Sequence, residues 1–321
     1  MTHVEAQPER AGENPNRAGV SSHAAAKRRA VGSAAGRARV TKARRPGGAR
    51  PGRIGLYAGL LVMLLFTLFP VYWLAATAVT PDSDAFAAEP RLIPSRLTLD
   101  HFANFFANPD LLRYLMNSLV ISLVSSIGGL LVSVYAAYSL SKFRFRGRGS
   151  VLYLILSSQM FPQALLLITL YLVFNKLNLL NTYLGLVVSF MAFTLPLSIW
   201  LLKGFFDNIP DELLEAAELD GASRLVTLHR IVLPLVTPAL ASAGLFTFVK
   251  AWDDFIFALT LSGEETRTLP PGLLLTYLGE AQAAWPDLMA ASLIVSFPVV
   301  IAFVAIQRYF IAGLTAGAVK S

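Results

Sequence analysis

Residues 115–140 read LMNSLVISLVSSIGGLLVSVYAAYSL, twenty-six positions without a charged side chain. At about 1.5 Å per residue, a helix of that length exceeds the roughly 30 Å hydrocarbon core of a bilayer. In lipid every backbone amide must be paired within its own segment, so such a run is helical. Ser125-Ser126-Ile127-Gly128-Gly129, followed by Ser133 and Ala136-Ala137, places small side chains where another helix backbone could approach closely. Five more runs behave alike, at roughly 54–79, 151–174, 183–202, 237–261 and 288–310. The expected fold is an all-α integral membrane protein with six transmembrane helices. Pro70, Pro162, Pro196 and Pro298 fall inside these runs and should bend them.

Composition agrees. Of 321 residues, 55% are hydrophobic and 15% charged, where a soluble domain carries about 25% charged residues. The absence of cysteine excludes a disulfide framework and a thiolate metal site, and neither a metal nor a cofactor is expected. The net charge of +7 is unevenly spread: residues 1–53 carry 12 Lys/Arg against 3 Glu, and the remaining chain 15 against 17 acidic residues. The first 53 residues, rich in Ala, Gly, Arg and Ser and free of Phe, Trp and Tyr, cannot bury a core and read as a disordered basic cytoplasmic arm. A solvated arm that orients the first span is the reading adopted, with lipid as its neighbour and no nucleic-acid partner. Residues 54–321 form the membrane domain, its core at about 112–310. The run at 54–79 is too long for a signal peptide and lacks a good cleavage site, so it reads as a retained span.

Orientation follows from the loops. With the N-terminus inside, the inner segments hold 21 Lys/Arg and the outer loops 5, Lys250 lying within a span. That asymmetry puts both termini in the cytoplasm of a multi-pass prokaryotic inner-membrane protein. The longest outer loop, residues 81–114, carries Pro90, Pro94 and Pro109 and should pack as short helices and turns.

One inner segment, residues 204–234, is more than a connector. Asn208 or Asp211 could cap a helix start beside Pro210, and Asp211, Glu212 and Glu215 fall where the helix dipole favours anions. Leu213, Leu214, Ala217 and Leu219 supply an apolar stripe, and Gly221 can end the helix through positive φ. A second short helix from about Ser223 to His229 leads to Leu233-Pro234. Six acidic residues lie between Asp207 and Asp220 with no basic one among them, so anionic lipid should repel this element. A protein partner explains the charge better.

The spacing Glu215-Ala216-Ala217, three residues, Gly221, nine residues, Ile231, one residue, Leu233-Pro234 resembles the EAA signature of permeases in ATP-binding-cassette importers. Asn117-Ser118-Leu119, the basic segment Lys142–Gly147, Trp252-Asp253-Asp254-Phe255, Leu269-Pro270-Pro271-Gly272-Leu273 and the tail from Gln307 resemble the carbohydrate-uptake branch, in particular the second permease of maltose-type systems. The likeness covers about residues 54–321 and excludes the basic arm. It implies a coupling loop in which Glu215 meets a basic residue of a separate ATPase. Ala216 and Ala217 would allow close approach, Gly221 would turn the chain, and Asp220, Ile231, Leu233 and Pro234 would complete the motif. The tail at 311–321, with Gly313, Leu314, Thr315 and Gly317, is expected to reach the ATPase pair as an extended segment. The implied partners are a companion permease in a heterodimer, two cytoplasmic ATPase subunits and an extracytoplasmic solute-binding protein.

For the solute pathway, Lys250, Trp252, Asp253 and Asp254 cluster deep in the fifth run; Trp252 lies about 21 Å along it from Pro238. Ionisable groups at that depth face a bundle interior or a watery cavity. They serve either the solute, with Trp252 stacking on a sugar, or a self-neutralised Lys–Asp pair. Gln159, with Ser157 and Ser158, is a further candidate beside Pro162, or helix–helix glue. No HExxH, nucleophile elbow or GxxxxGK[ST] occurs, so neither catalysis nor ATP binding by a P-loop is expected here. An ion-coupled secondary carrier is the competing transporter class, but the paired interrupted halves expected of one are missing from the sequence.

Overall fold

In the computed structural model, residues 50–86, 92–278 and 284–318 are described, with side chains for 55–86, 92–278 and 284–309. Most of the basic arm therefore lies outside the described residues. The chain divides into two units, Met1–Met63 and Leu64–Ser321, the boundary falling inside the first helix.

The described residues are helices and turns. The principal helices are α1 (Arg50–Ala78), α2 (Asp100–Ala107), α3 (Pro109–Lys142), α4 (Arg148–Ser157), α5 (Gln163–Lys176) and α6 (Tyr183–Asp207). They are followed by α7 (Asp211–Leu219), α8 (Arg224–Thr227), α9 (Thr237–Trp252), α10 (Ile256–Leu261), α11 (Leu269–Tyr277) and α12 (Trp285–Ala318). Four helices are long and apolar enough to cross a membrane by themselves, or up to six if two bent pairs each count as one span.

Two of the runs expected as continuous spans are broken. The run at 151–174 is split at Pro162, where α4 and its terminal turn meet α5 at 100°. Proline removes the amide that would have bridged the turns, and here the helix breaks instead of kinking. The run at 237–261 stops at Trp252 and restarts at Ile256, because the Asp254 carboxylate takes the amides of Phe257 and Ala258, each at 3.0 Å. By contrast, α1, α6 and α12 continue through Pro70, Pro196 and Pro298.

Helix α3 is the central post, packed against α6 and α9. Its small residues do the work expected of them: Ser125, Gly129, Ser133 and Ala137 are buried, and the Ser126 hydroxyl donates to the Gly244 carbonyl at 2.8 Å. At one end of the post, Val134, Ala137 and Tyr138 of α3 meet Leu202 and Phe206 of α6 and Ala239 and Ala243 of α9. At the other, Leu111 and Tyr114 meet Phe248 and Trp252 of α9, Leu269 and Leu273 of α11 and Ala291 of α12.

Polar ties fix this second end. The Asn117 amide donates to the carbonyls of Glu265 and Arg267 at 2.8 Å each and accepts from the Tyr183 hydroxyl at 2.7 Å. The Leu269 amide donates to Ser118 Oγ at 2.7 Å. Gly272 is required by contact: a Cβ there would overlap the Tyr114 ring, which is itself buried. Gly272→Ala should cost about 2–3 kcal/mol through forced overpacking, read as a lower thermal midpoint of the solubilised protein. An unchanged midpoint would contradict this packing.

Candidate functional site: an acidic elbow joined to a polar cavity

After α6 ends at Asp207, the chain turns through Ile209 and Pro210 into α7. Neither predicted cap forms: Pro210 occupies the cap position, and the Asn208 amide instead donates back to the Gly204 carbonyl at 2.8 Å. What anchors α7 is Lys142, at the end of α3. Its Nζ donates to the Ile209 carbonyl at 2.6 Å and to Asp211 Oδ1 at 2.7 Å, and its side chain is 9% exposed. The hydrogen bond and charge of Lys142 hold the Asp211 carboxyl below its ordinary range. Lys203 and Ser141 converge on the neighbouring Asp207 at 2.6 and 2.7 Å, tying α3 and α6 together at the same level.

Helix α7 presents two faces. Ala217 is buried and Leu214 packs against the core below, so this side holds the helix to the rest of the chain. Glu212, Glu215, Ala216 and Leu219 are exposed along the other side, spaced as one helical face. Leu213 and Leu219, both expected in the inward stripe, are 39% and 90% exposed and stand outside it; Leu219 lies at helical spacing from Glu212, Glu215 and Ala216 and so belongs to the acidic face. The two alanines of the motif therefore differ, with Ala217 turned inward and Ala216 left on the surface.

Gly221 has φ +80° and makes the turn, as expected, while the Ala222 amide closes on the Ala217 carbonyl at 2.9 Å. Asp220 is exposed at the end of α7, its amide bonded to the Ala216 carbonyl at 3.1 Å. Beyond the turn, Arg224 lies 5.0 Å from the Phe143 ring centre and 3.9 Å from Glu218. Thr227, Leu228 and Val232 are buried, so the second half of the elbow is embedded in the α3–α6–α9 core. Ile231 and Leu233 are partly buried and Pro234 is exposed. The segment Arg224–Leu235 then meets α9 at 84°.

Helix α9 carries the elbow at one end and a cavity at the other. The cavity measures about 510 Å³ and is lined by Gln159, Lys250, Asp253 and Asp254, four of the five predicted pathway residues. Trp252 is the exception. It is 4% exposed and stacks on Phe248, ring centres 5.7 Å apart, because at its position on α9 the indole faces the core with α3 and α11. No Lys–Asp ion pair closes the cavity: among the described residues Lys250 has no carboxylate within salt-bridge distance. Gln159 donates to the Phe193 carbonyl at 3.1 Å, whereas Ser157 and Ser158 bond back to the Tyr153 and Ile155 carbonyls.

Sequence reasoning missed Gln163, Phe193, Thr194 and Phe246 in the lining. Gln163 had a signal, a polar side chain next to the helix-breaking Pro162; the others reach the cavity only through the packing of α6 and α9. In the tail, Gly313, Leu314, Thr315 and Gly317 continue α12 as helix through Ala318. The expected extended segment is thereby corrected, since no proline or capping device interrupts the helix before that point; the side chains there lie outside those described.

Comparison with known proteins identifies the family of the chain. A family model described as "binding-protein-dependent transport system inner membrane component" matches residues 129–315, from the middle of α3 through the elbow, cavity and most of α12. The Escherichia coli inner membrane ABC transporter permease protein YcjP is 38% identical over 84% of this chain and 96% of its own length. The Thermococcus litoralis trehalose/maltose transport system permease protein MalG is 38% identical over 84% of this chain and 97% of its own. A bacterial ABC transporter for import of the acidic polysaccharide alginate superposes with a TM-score of 0.73 at 24% identity, covering 83% of this chain and 99% of that one. With an all-helical membrane fold and this extent of likeness, the chain belongs to the binding-protein-dependent inner membrane components, the permease subunits of ATP-binding-cassette transporters.

Proposed function

We propose that this permease forms half of the transmembrane pathway of an importer for a sugar or oligosaccharide. The observation that carries the reading is mechanical: one helix, α9, joins the acidic elbow at its start to the polar cavity at its end. At about 1.5 Å per residue, its 16 residues separate the two by roughly 24 Å. A helix is stiff along its axis, so a displacement of the elbow tilts Lys250 and Asp253 with little loss. The broken segments at Pro162 and at 253–255 supply the joints that let the cavity walls follow.

In this reading α4 with α5 is one broken span and α9 with α10 another, which gives six transmembrane helices with both termini in the cytoplasm, as the charge asymmetry of the loops favours. Residues 1–53 are a basic arm on the inner side and residues 54–321 the permease domain. Residues 204–234 are the coupling loop, seated on one of two ATPase subunits through Glu215, Ala216 and Leu219. Gly221, with Asp220, Ile231, Leu233 and Pro234, gives the elbow its shape. The tail around Gly313, Leu314, Thr315 and Gly317 reaches toward the ATPase pair as a helix. A companion permease supplies the other half of the pathway, and an extracytoplasmic binding protein delivers solute. Hydrolysis of ATP takes place in the separate subunit.

The cavity suits a polyol. The phenyl rings of Phe193 and Phe257, 4.4 Å apart, give an apolar wall, and Gln159, Gln163, Thr194, Lys250 and Asp253 offer donors and acceptors to hydroxyls. Asp254 shapes the cavity by restarting the helix. Asp254→Ala should lower uptake about tenfold, since loss of a cap costs about 1 kcal/mol or more; Asp254→Asn, which keeps the accepting oxygen, should retain most transport. Equal effects of the two would show that charge, not capping, matters.

The reading is tested by deleting the gene and measuring uptake of labelled trehalose, maltose and longer glucosides with and without a protonophore. Loss of uptake on deletion, and on removal of the ATPase, supports it. Uptake that persists without the ATPase but collapses with the proton gradient would favour the ion-coupled carrier.

A further inference from the structure

Helix α4 stands beside α6, yet none of its residues is buried. The space between the two is a groove of about 350 Å³, lined by Leu152 of α4 and by Trp200, Leu201, Lys203, Phe205 and Asp207 of α6. It lies where α6 ends and the elbow begins, so the orientation proposed above puts it at the inner surface of the membrane.

The groove is layered. At its rim the Lys203 Nζ sits 2.6 Å from one Asp207 oxygen, while Ser141 donates to the other at 2.7 Å and the Arg148 guanidinium lies 3.8 Å from it. Two cations therefore answer one carboxylate, and the rim keeps a positive charge in excess. Arg144 and Arg146, exposed on the loop that leads into α4, add two more. Among the described residues neither has a carboxylate within salt-bridge distance.

Below the rim the lining turns apolar. Trp200 precedes Lys203 by about 4.5 Å along α6, and Leu152 follows Arg148 by about 6 Å along α4. The Trp200 ring is 52% exposed, so the chain's own core does not use it up. Tyr153 and Leu154, 74% and 73% exposed, continue the apolar surface along α4.

Cations above an indole above aliphatic side chains match a phospholipid, which offers a phosphate, a glycerol backbone and methylenes in the same order. Basic pockets between membrane helices on the cytoplasmic side are suited to anionic headgroups. A soluble phosphate would use the rim and leave the apolar floor in contact with water. A zwitterionic headgroup brings a cation of its own, which the excess charge opposes.

We propose that this groove binds the headgroup and first methylenes of an anionic phospholipid from the inner leaflet, and that the lipid completes the packing of α4 on α6. The inference uses the orientation given above and does not depend on which solute is carried.

Native mass spectrometry of the assembled transporter tests it, with phosphatidylglycerol, phosphatidylcholine or inorganic phosphate added. Wild type should retain phosphatidylglycerol in preference to phosphatidylcholine. Arg148→Gln should lower that retention about fivefold, the scale of one surface cation, and Trp200→Ala by a similar factor for one lost aromatic contact. Arg308→Gln, which removes an exposed cation outside the groove, should leave it unaltered. Co-purification of the ATPase shows that each variant has folded. Equal retention of the two lipids, indifference to both groove variants, or displacement by inorganic phosphate would each overturn the site. Lipid retained by the isolated permease but not by the assembled transporter would show that another subunit covers the groove, and would overturn it too. Gly149→Cys, in a chain without cysteine, separates this from the orientation: labelling by an impermeant reagent from the outer side would sink the orientation, whereas inner-side labelling with indifferent groove variants would sink the lipid site alone.

Discussion

Ala216→Trp should abolish uptake while leaving the protein inserted and folded. Ala216 is exposed on the acidic face of α7, and its methyl is not used in the chain's own packing. An indole there therefore clashes only with whatever seats on that face. Overpacking a close contact costs up to about 3 kcal/mol, and a penalty of that size lowers occupancy of the seat about a hundredfold. The neighbouring Ala217 gives the contrast. It is 5% exposed and faces inward, so Ala217→Trp should lower the thermal midpoint as well as transport. Uptake assays paired with melting curves separate the two; normal uptake by Ala216→Trp would remove that face from the coupling surface.

Lys142→Met should uncouple the transporter. Lys142 is the strut between α3 and α7, holding Asp211 and the backbone carbonyl of Ile209, a residue 7% exposed. Methionine fills the space but leaves that carbonyl without its donor, a loss of about 1–3 kcal/mol. The elbow then yields instead of transmitting. The expected result is uptake reduced at least about tenfold, with ATP hydrolysis continuing, so that less solute moves per ATP. Lys142→Arg retains donors and should restore much of the ratio. A proportional fall in hydrolysis and uptake would point to lost assembly instead.

Acid should release the Asp211 arm of this strut while the bond to the Ile209 carbonyl stays. The Asp211 carboxyl is held low by Lys142, so the bond's contribution is complete above the ordinary carboxylate range. It disappears as pH falls through the depressed value. Asp211→Asn should remove that pH dependence.

The broad design was readable because lipid imposes it: uncharged runs of twenty or more residues, and basic residues concentrated in alternate loops. The elbow was readable because Gly221, the acidic cluster and the small residues stand at fixed spacings. Breaks within the spans were harder to see. Pro162 announced a bend but not its 100° size, and Asp254 is a cap only because the chain turns at Asp253 to bring its carboxylate under the next amides. Trp252 was assigned by depth along α9, which fixes how far a side chain lies along the helix but not which way it faces. That direction is set by the packing of α3 and α11, which a linear pattern does not encode. The same limit hid the different roles of Ala216 and Ala217, one residue apart and on opposite sides.

The most direct measurement is site-specific photocrosslinking from position 219 in the assembled transporter. Leu219 is 90% exposed beside Glu215 and Ala216, so a photoreactive phenylalanine there should capture the ATPase subunit, and nucleotide should change the yield. Capture of an extracytoplasmic protein, or no capture of the ATPase in a transporter competent for uptake, would contradict the assignment of the elbow as the ATPase seat.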